Sequence, residues 1–201
     1  KYLFKNDKNM QQRKQFIIFT DLDGTLLDHD NYSFNDAANI LARLLLDNIP
    51  IVLVSSKTQS EIEKISKQLR FHHASVAENG PIIKIGKHPI FRGLKSNSPY
   101  CFGSHIDSIL TIIEKMPHAM KKEVTLLKDM SPKMATEITG LDHESLKVCL
   151  ERAYSVPFIV SDTDTLKLKK FCEESGIGIT RGGRFYHFLS SNIDKGHSTR
   201  W

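Results

Sequence analysis

The chain has 201 residues, of which 40% are hydrophobic and 25% charged, and carries a formal net charge of +5. Those proportions belong to a soluble globular protein, and no apolar stretch has the length of a membrane span or a signal-peptide core. The lysines are dispersed, with pairs such as Lys121-Lys122 and Lys169-Lys170 but no basic blocks interleaved with aromatics, which reads as a solvated surface and not a nucleic-acid stripe.

In chain order, residues 1–14 are polar and rich in Lys, Gln and Asn, the pattern of a flexible lead-in. Phe16-Ile17-Ile18-Phe19-Thr20 then reads as a buried strand running into Asp21-Leu22-Asp23-Gly24-Thr25. Asn35 is a candidate cap for a helix reaching about Asp47, with Ile40, Leu41, Leu44 and Leu45 at helical spacing. Pro50 breaks it, and Ile51-Val52-Leu53-Val54 is a second strand ending in Ser55-Ser56-Lys57-Thr58. Thr58 or Ser56 caps the next helix, which carries Ile62, Ile65 and Leu69. A third strand, 74–77, ends in Glu78-Asn79-Gly80. Strand and helix alternating through short turns predict a Rossmann-like parallel sheet, whose ligands gather at the C-terminal ends of the strands.

From Ile82 the rhythm changes. Short strands at 82–85, 124–127, 156–160, 177–180 and 184–189 alternate with helices near 105–115, 142–153 and 164–174, punctuated by Gly86, Pro89, Gly103, Pro132, Gly176 and Gly182-Gly183. This predicts an inserted α+β cap over 82–190, with the core formed by 15–81 and 191–201. Cys101, Cys149 and Cys172 are scattered without CxxC spacing, which suggests neither a disulfide framework nor a zinc site and fits a reducing cytoplasm. The chain begins at Lys1 and stops at Trp201 inside a starting helix, and so reads as a fragment whose first strand lacks neighbours on one side.

Asp21 and Asp23 lie two apart on an extended segment and therefore face one site. Close carboxylates repel unless a cation bridges them or one holds a proton, and both arrangements suit phosphoryl transfer. A plain Asp-Gly turn is the alternative, whereas an EF-hand lacks its later ligands here. Ser55, Ser56 and Lys57 offer hydroxyls and a positive charge to an anion, or else simply cap a helix. Lys195, in Asp194-Lys195-Gly196, opens a new helix, either beside that anion or as a surface lysine.

Together these residues resemble the haloacid dehalogenase-like superfamily, with Asp21-Leu22-Asp23-Gly24-Thr25, Ser55 and Lys195 matching its first three motifs. The large insert is similar to its type-II, Cof-like branch. Ser55-Ser56-Lys57-Thr58, Glu78-Asn79-Gly80, Thr139-Gly140-Leu141, Glu151-Arg152-Ala153-Tyr154-Ser155 and Arg181-Gly182-Gly183-Arg184-Phe185-Tyr186-His187-Phe188 resemble the mannosyl-3-phosphoglycerate phosphatase family within it. That resemblance implies a Mg²⁺-dependent phosphomonoesterase with Asp21 as nucleophile, Asp23 as general acid and base, and both on the metal. Ser55 and Lys195 would hold the phosphoryl group. Ser56, Lys57, Asn79, Arg152, Arg184, Tyr186 and His187 would bind a small phosphorylated, carboxylated sugar. Val156 stands where the family places an acid, and the superfamily's fourth, acidic motif is expected beyond Lys195, six residues from the end. Another sugar-phosphate phosphatase, a phosphomutase and an inactive phospho-ligand-binding remnant are the alternatives.

Overall fold

The computed structural model describes residues 16–28, 32–161 and 165–201, so the expected lead-in 1–14 lies outside the described residues. The first sheet contains β1 (Ile18–Thr20), β2 (Ile51–Val54), β3 (Ala74–Ala77), β4 (Ile82–Ile85) and β5 (Tyr100–Cys101), in that spatial order. β1, β2 and β3 are parallel, whereas β4 and β5 add antiparallel. Helices α1 (Ala38–Leu46) and α2 (Gln59–Leu69) make the two crossovers. All four residues of β2 are buried because both faces of the sheet are covered. Ile51 and Leu53 pack with Leu41 and Ile62, while Val52 and Val54 pack with Val76, Ile83 and Ile85. Each such apolar side chain contributes roughly 1.5–3 kcal/mol on burial.

Two expectations need correcting. The predicted cap boundary at residue 82 fails, since β4 pairs with β3 from Ala74↔Ile85 to Ala77↔Ile82 and belongs to the first sheet. Asn35 is not a helix cap: Asn35–Ala37 form a 3₁₀ turn, and the Asn35 amide donates to Ser33 Oγ. Thr58 does cap α2, in a full capping box with Glu61.

The second unit opens with α3 (Ile106–Glu114) and α4 (His118–Glu123), followed by β6 (Val124–Leu126). Next come α5 (Pro132–Thr139), α6 (His143–Leu150), β7 (Val156–Val160) and α7 (Leu166–Glu174). β8 (Ile177–Gly182) and β9 (Phe185–Ser190) complete an antiparallel sheet of order β6-β7-β9-β8. One of its faces packs Phe158 and Phe188 against α3 and α7, and the two rings stack at 3.9 Å. The other packs Ile159 and Phe185 toward α5 and α6. The chain returns as α8 (Lys195–Arg200), which lies against β3. Among the described residues no helix is long and apolar enough to cross a membrane.

Candidate active site

The site begins with a turn that the first strand cannot avoid. Leu22 is fully buried, and its carbonyl accepts from the amides of Thr25 (3.2 Å) and Leu27 (2.8 Å), while Gly24 supplies φ of 69°. Burying Leu22 turns its neighbours Asp21 and Asp23 outward into one cavity. Asp21 Oδ1 accepts from the Leu22 amide at 2.8 Å and Oδ2 from Lys195 Nζ at 2.7 Å. Lys195 is the first residue of α8, and Asp194 caps that helix by accepting from the His197 amide at 2.6 Å.

The loop after β2 forms the adjoining wall. Lys57 Nζ is ion-paired with Asp23 Oδ1 at 3.0 Å and lies 5.0 Å from the centre of the Tyr32 ring. Burial works to lower the Lys57 pKa, but the carboxylates of Asp23 and Glu61 outweigh it and hold the ammonium above its ordinary value. Ser56 lines the cavity as well. Ser55 sits one layer beneath, fully buried, with Oγ accepting from the Lys57 amide at 3.2 Å, so its hydroxyl proton is still available to donate.

The second unit closes the cavity. Arg152 reaches back across the seam, with Nη1 donating to the Ser56 carbonyl and to Ser155 Oγ, both at 3.0 Å. Arg184 lines the cavity while its Nη1 donates to the Ile138 and Thr139 carbonyls at 3.1 and 3.2 Å, tying off the end of α5. His187 also lines it, only 3% exposed, and Nδ1 has no partner. Burial, with Arg152 and Lys195 nearby, drives the His187 pKa well below the usual imidazole value, so it stands neutral. Asn79 is 3% exposed with Nδ2 unpartnered, and sits behind the lining.

Tyr186 is a correction. Neighbouring residues on a strand point to opposite faces, and Tyr186 stacks on Phe158 at 5.7 Å with the Arg181 guanidinium over it, away from the lining that Phe185 and His187 provide. Tyr32, Glu61, Thr139, Leu141, Cys149 and Gly182 line the cavity without having been singled out for it. Thr139, Leu141 and Gly182 lay within stretches that carried the family resemblance, so a signal existed. A Cβ on Gly182 would stand 3.3 Å from Ser56 Cβ and 3.6 Å from both Asn79 Oδ1 and His187 Nε2, so this glycine keeps the seam open. The buried Cys149 thiol, pushed up by burial, is no nucleophile at neutral pH.

For a metal, the donor set is hard oxygen. Asp23 Oδ1 is screened from solvent and faces Lys57 Nζ at 3.0 Å, and among the described residues no third His, Cys, Asp or Glu joins the pair. Two acidic residues fit a small divalent cation that completes its shell with water and substrate phosphate.

Residues 18–200 match the sequence profile described as haloacid dehalogenase-like hydrolase. The chain belongs to the haloacid dehalogenase-like hydrolase family. A relative from Persephonella marina named glucosyl-3-phosphoglycerate/mannosyl-3-phosphoglycerate phosphatase is 36% identical over 192 residues, spanning 92% of this chain and 70% of the relative. One of the same name from Methanococcoides burtonii is 33% identical with the same coverage. Among solved structures, a Streptococcus mutans protein superposes with TM-score 0.65 at 19% identity, covering 93% of this chain and 74% of its own. A Bacteroides thetaiotaomicron protein, described among phosphatases of the haloalkanoate enzyme superfamily, gives 0.64 at 14% identity, covering 95% and 72%. These two likenesses bear on the fold of this family member.

Proposed function

We propose that this haloacid dehalogenase-like phosphatase removes the phosphoryl group from a small sugar phosphate carrying a carboxylate. Mannosyl- or glucosyl-3-phosphoglycerate is the substrate that its relatives' names put forward. The observation that carries the reading is the meeting of the Asp21–Lys195 pair with Arg152, Arg184 and His187 on a single cavity. That cavity offers an attacking carboxylate together with two guanidinium groups suited to a carboxylate and a neutral imidazole suited to a hydroxyl.

In this mechanism Asp21 attacks phosphorus through a carboxylate oxygen, the phosphorus–oxygen bond to the leaving group breaks, and Asp23 delivers a proton to the departing oxygen. A water then attacks the aspartyl-phosphate and gives a proton to Asp23, inorganic phosphate leaves, and the Asp21 carboxylate is restored. Lys195 and Ser55 stabilise charge on the phosphoryl oxygens, and Lys57 holds Asp23 toward the reacting atoms. Mg²⁺, held by the Asp21 carboxylate and by Asp23, supplies neutralising charge to the phosphate when bound. Phosphate release from both sugar phosphoglycerates, with Mg²⁺ and with chelator, tests the reading. Hydrolysis of p-nitrophenyl phosphate alone, with neither sugar acid turned over, would refute the substrate. Undiminished turnover under chelation would refute the metal.

A further inference from the structure

Beyond β3 the chain bends where residues with a side chain rarely go. Glu78 and Asn79 take φ of 55° and 67°, the left-handed region in which Cβ crowds the backbone. Two consecutive non-glycine residues in that region imply that something else fixes the turn. Glu78 is also 1% exposed, and a carboxylate is kept from water only when its oxygens are satisfied.

Its partners lie in the second unit. Glu78 Oε1 accepts from the Ala153 amide at 2.9 Å, and Oε2 accepts from the Tyr154 amide at 3.1 Å and from Ser155 Oγ at 2.7 Å. Three converging donors call for a group that only accepts, which a carboxylate does and a carboxamide does not. Because Ser155 gives its one hydroxyl proton to Glu78, its lone pairs are turned to receive Arg152 Nη1 at 3.0 Å. On the core side the same turn secures the phosphate-facing loop. The carbonyls of Ser55, Ser56 and Lys57 accept in succession from the Asn79 amide (3.0 Å), Arg152 Nη1 (3.0 Å) and the Glu78 amide (2.9 Å).

We propose that Glu78 is a positioning residue: through Ser155 it aims Arg152 into the cavity and thereby sets recognition of the substrate's carboxylate. Glu78 does not line the cavity; its carboxylate reaches it through Ser155 and Arg152, while its backbone amide, which holds the Lys57 carbonyl, is unchanged by a side-chain substitution. The inference rests on the reading of Arg152 as the carboxylate-binding group.

The test measures, by calorimetry on the full chain, affinity for 3-phosphoglycerate and for inorganic phosphate. Glu78→Gln keeps the shape but turns an amide group against the donors. It is expected to weaken 3-phosphoglycerate about tenfold, the scale of one charge-assisted contact, and phosphate less than about twofold. In an Arg152→Ala background it should add almost nothing, because both changes remove the same contact. Ser155→Ala removes the hydroxyl that joins Glu78 to Arg152 while leaving Glu78 its two backbone amide donors; it must reproduce the selective loss, which keeps the test available if Glu78→Gln does not fold. Equal weakening of both ligands by Ser155→Ala, or losses from Glu78→Gln and Arg152→Ala that multiply, overturns the inference alone. An Arg152→Ala protein that weakens both ligands equally overturns the reading of Arg152 and the inference with it.

Discussion

Lys195 Nζ stands 2.7 Å from Asp21 Oδ2 although 174 residues separate the two in the chain. The first strand delivers the acid and α8 delivers the cation, and the whole second unit lies between them in the chain. On the proposed mechanism, Asp21→Asn removes the attacking oxygen and a metal ligand together. Turnover of p-nitrophenyl phosphate should fall at least about a thousandfold while inorganic phosphate still binds. Near-normal turnover would eliminate Asp21 as the nucleophile.

Arg184 has two duties in one side chain, lining the cavity and holding the last carbonyls of α5. Arg184→Ala should raise KM for a carboxylated sugar phosphate about tenfold and leave KM for p-nitrophenyl phosphate within about twofold. Equal losses on both substrates would assign Arg184 to the α5 terminus alone.

Acid should weaken the fold from three places at once. His187, His72 and His73 all have lowered pKa values, burial being the leading cause in each. His73 Nδ1, at the opposite end of the sheet from the site, accepts from the Ile51 amide at 3.0 Å, a bond that needs the neutral ring. Below about pH 6.5 the unfolded chain takes up protons that the native histidines refuse, so stability rises with pH and is lost as pH falls through that window. The melting temperature should drop on acidification from about pH 7 to about pH 5. His73→Gln should shallow the slope. A melting temperature independent of pH across this range would contradict the assignment.

Gly182→Ala places a methyl 3.3 Å from Ser56 Cβ at a position with no left-handed φ. The expected result is a several-fold rise in KM for the sugar acid with a melting temperature close to that of the parent, because the methyl crowds the seam and not the backbone. A large loss of stability would instead mean that the seam cannot yield by a few tenths of an ångström.

The half of the site built by short local segments was legible. Asp21 and Asp23 follow from a strand running into a glycine turn, and the cap of α2 was narrowed to Thr58 or Ser56, of which the structure gives it to Thr58. What escaped depends on partners distant in sequence. The segment 82–85 is apolar enough to join any sheet, and only its pairing with β3 assigns it to the first. Pro132 reads as a turn residue yet occupies the first position of α5, where its missing amide costs nothing. Glu78 looks like part of an ordinary turn until Ala153, Tyr154 and Ser155 arrive against it. Tyr186 was legible but misjudged, since strand alternation alone bars it and His187 from sharing one face.

The Thr58 hydroxyl accepts from the Glu61 amide at 3.2 Å and donates to the Val148 carbonyl, also at 3.2 Å. A helix cap has thereby become a latch between two bodies. Any swing of the second unit away from the first must release the Val148 carbonyl, while the Glu61 amide can keep its bond to the same hydroxyl. That single bond, on the scale of about 0.5–1.5 kcal/mol, is therefore part of what any parting of the two units has to break.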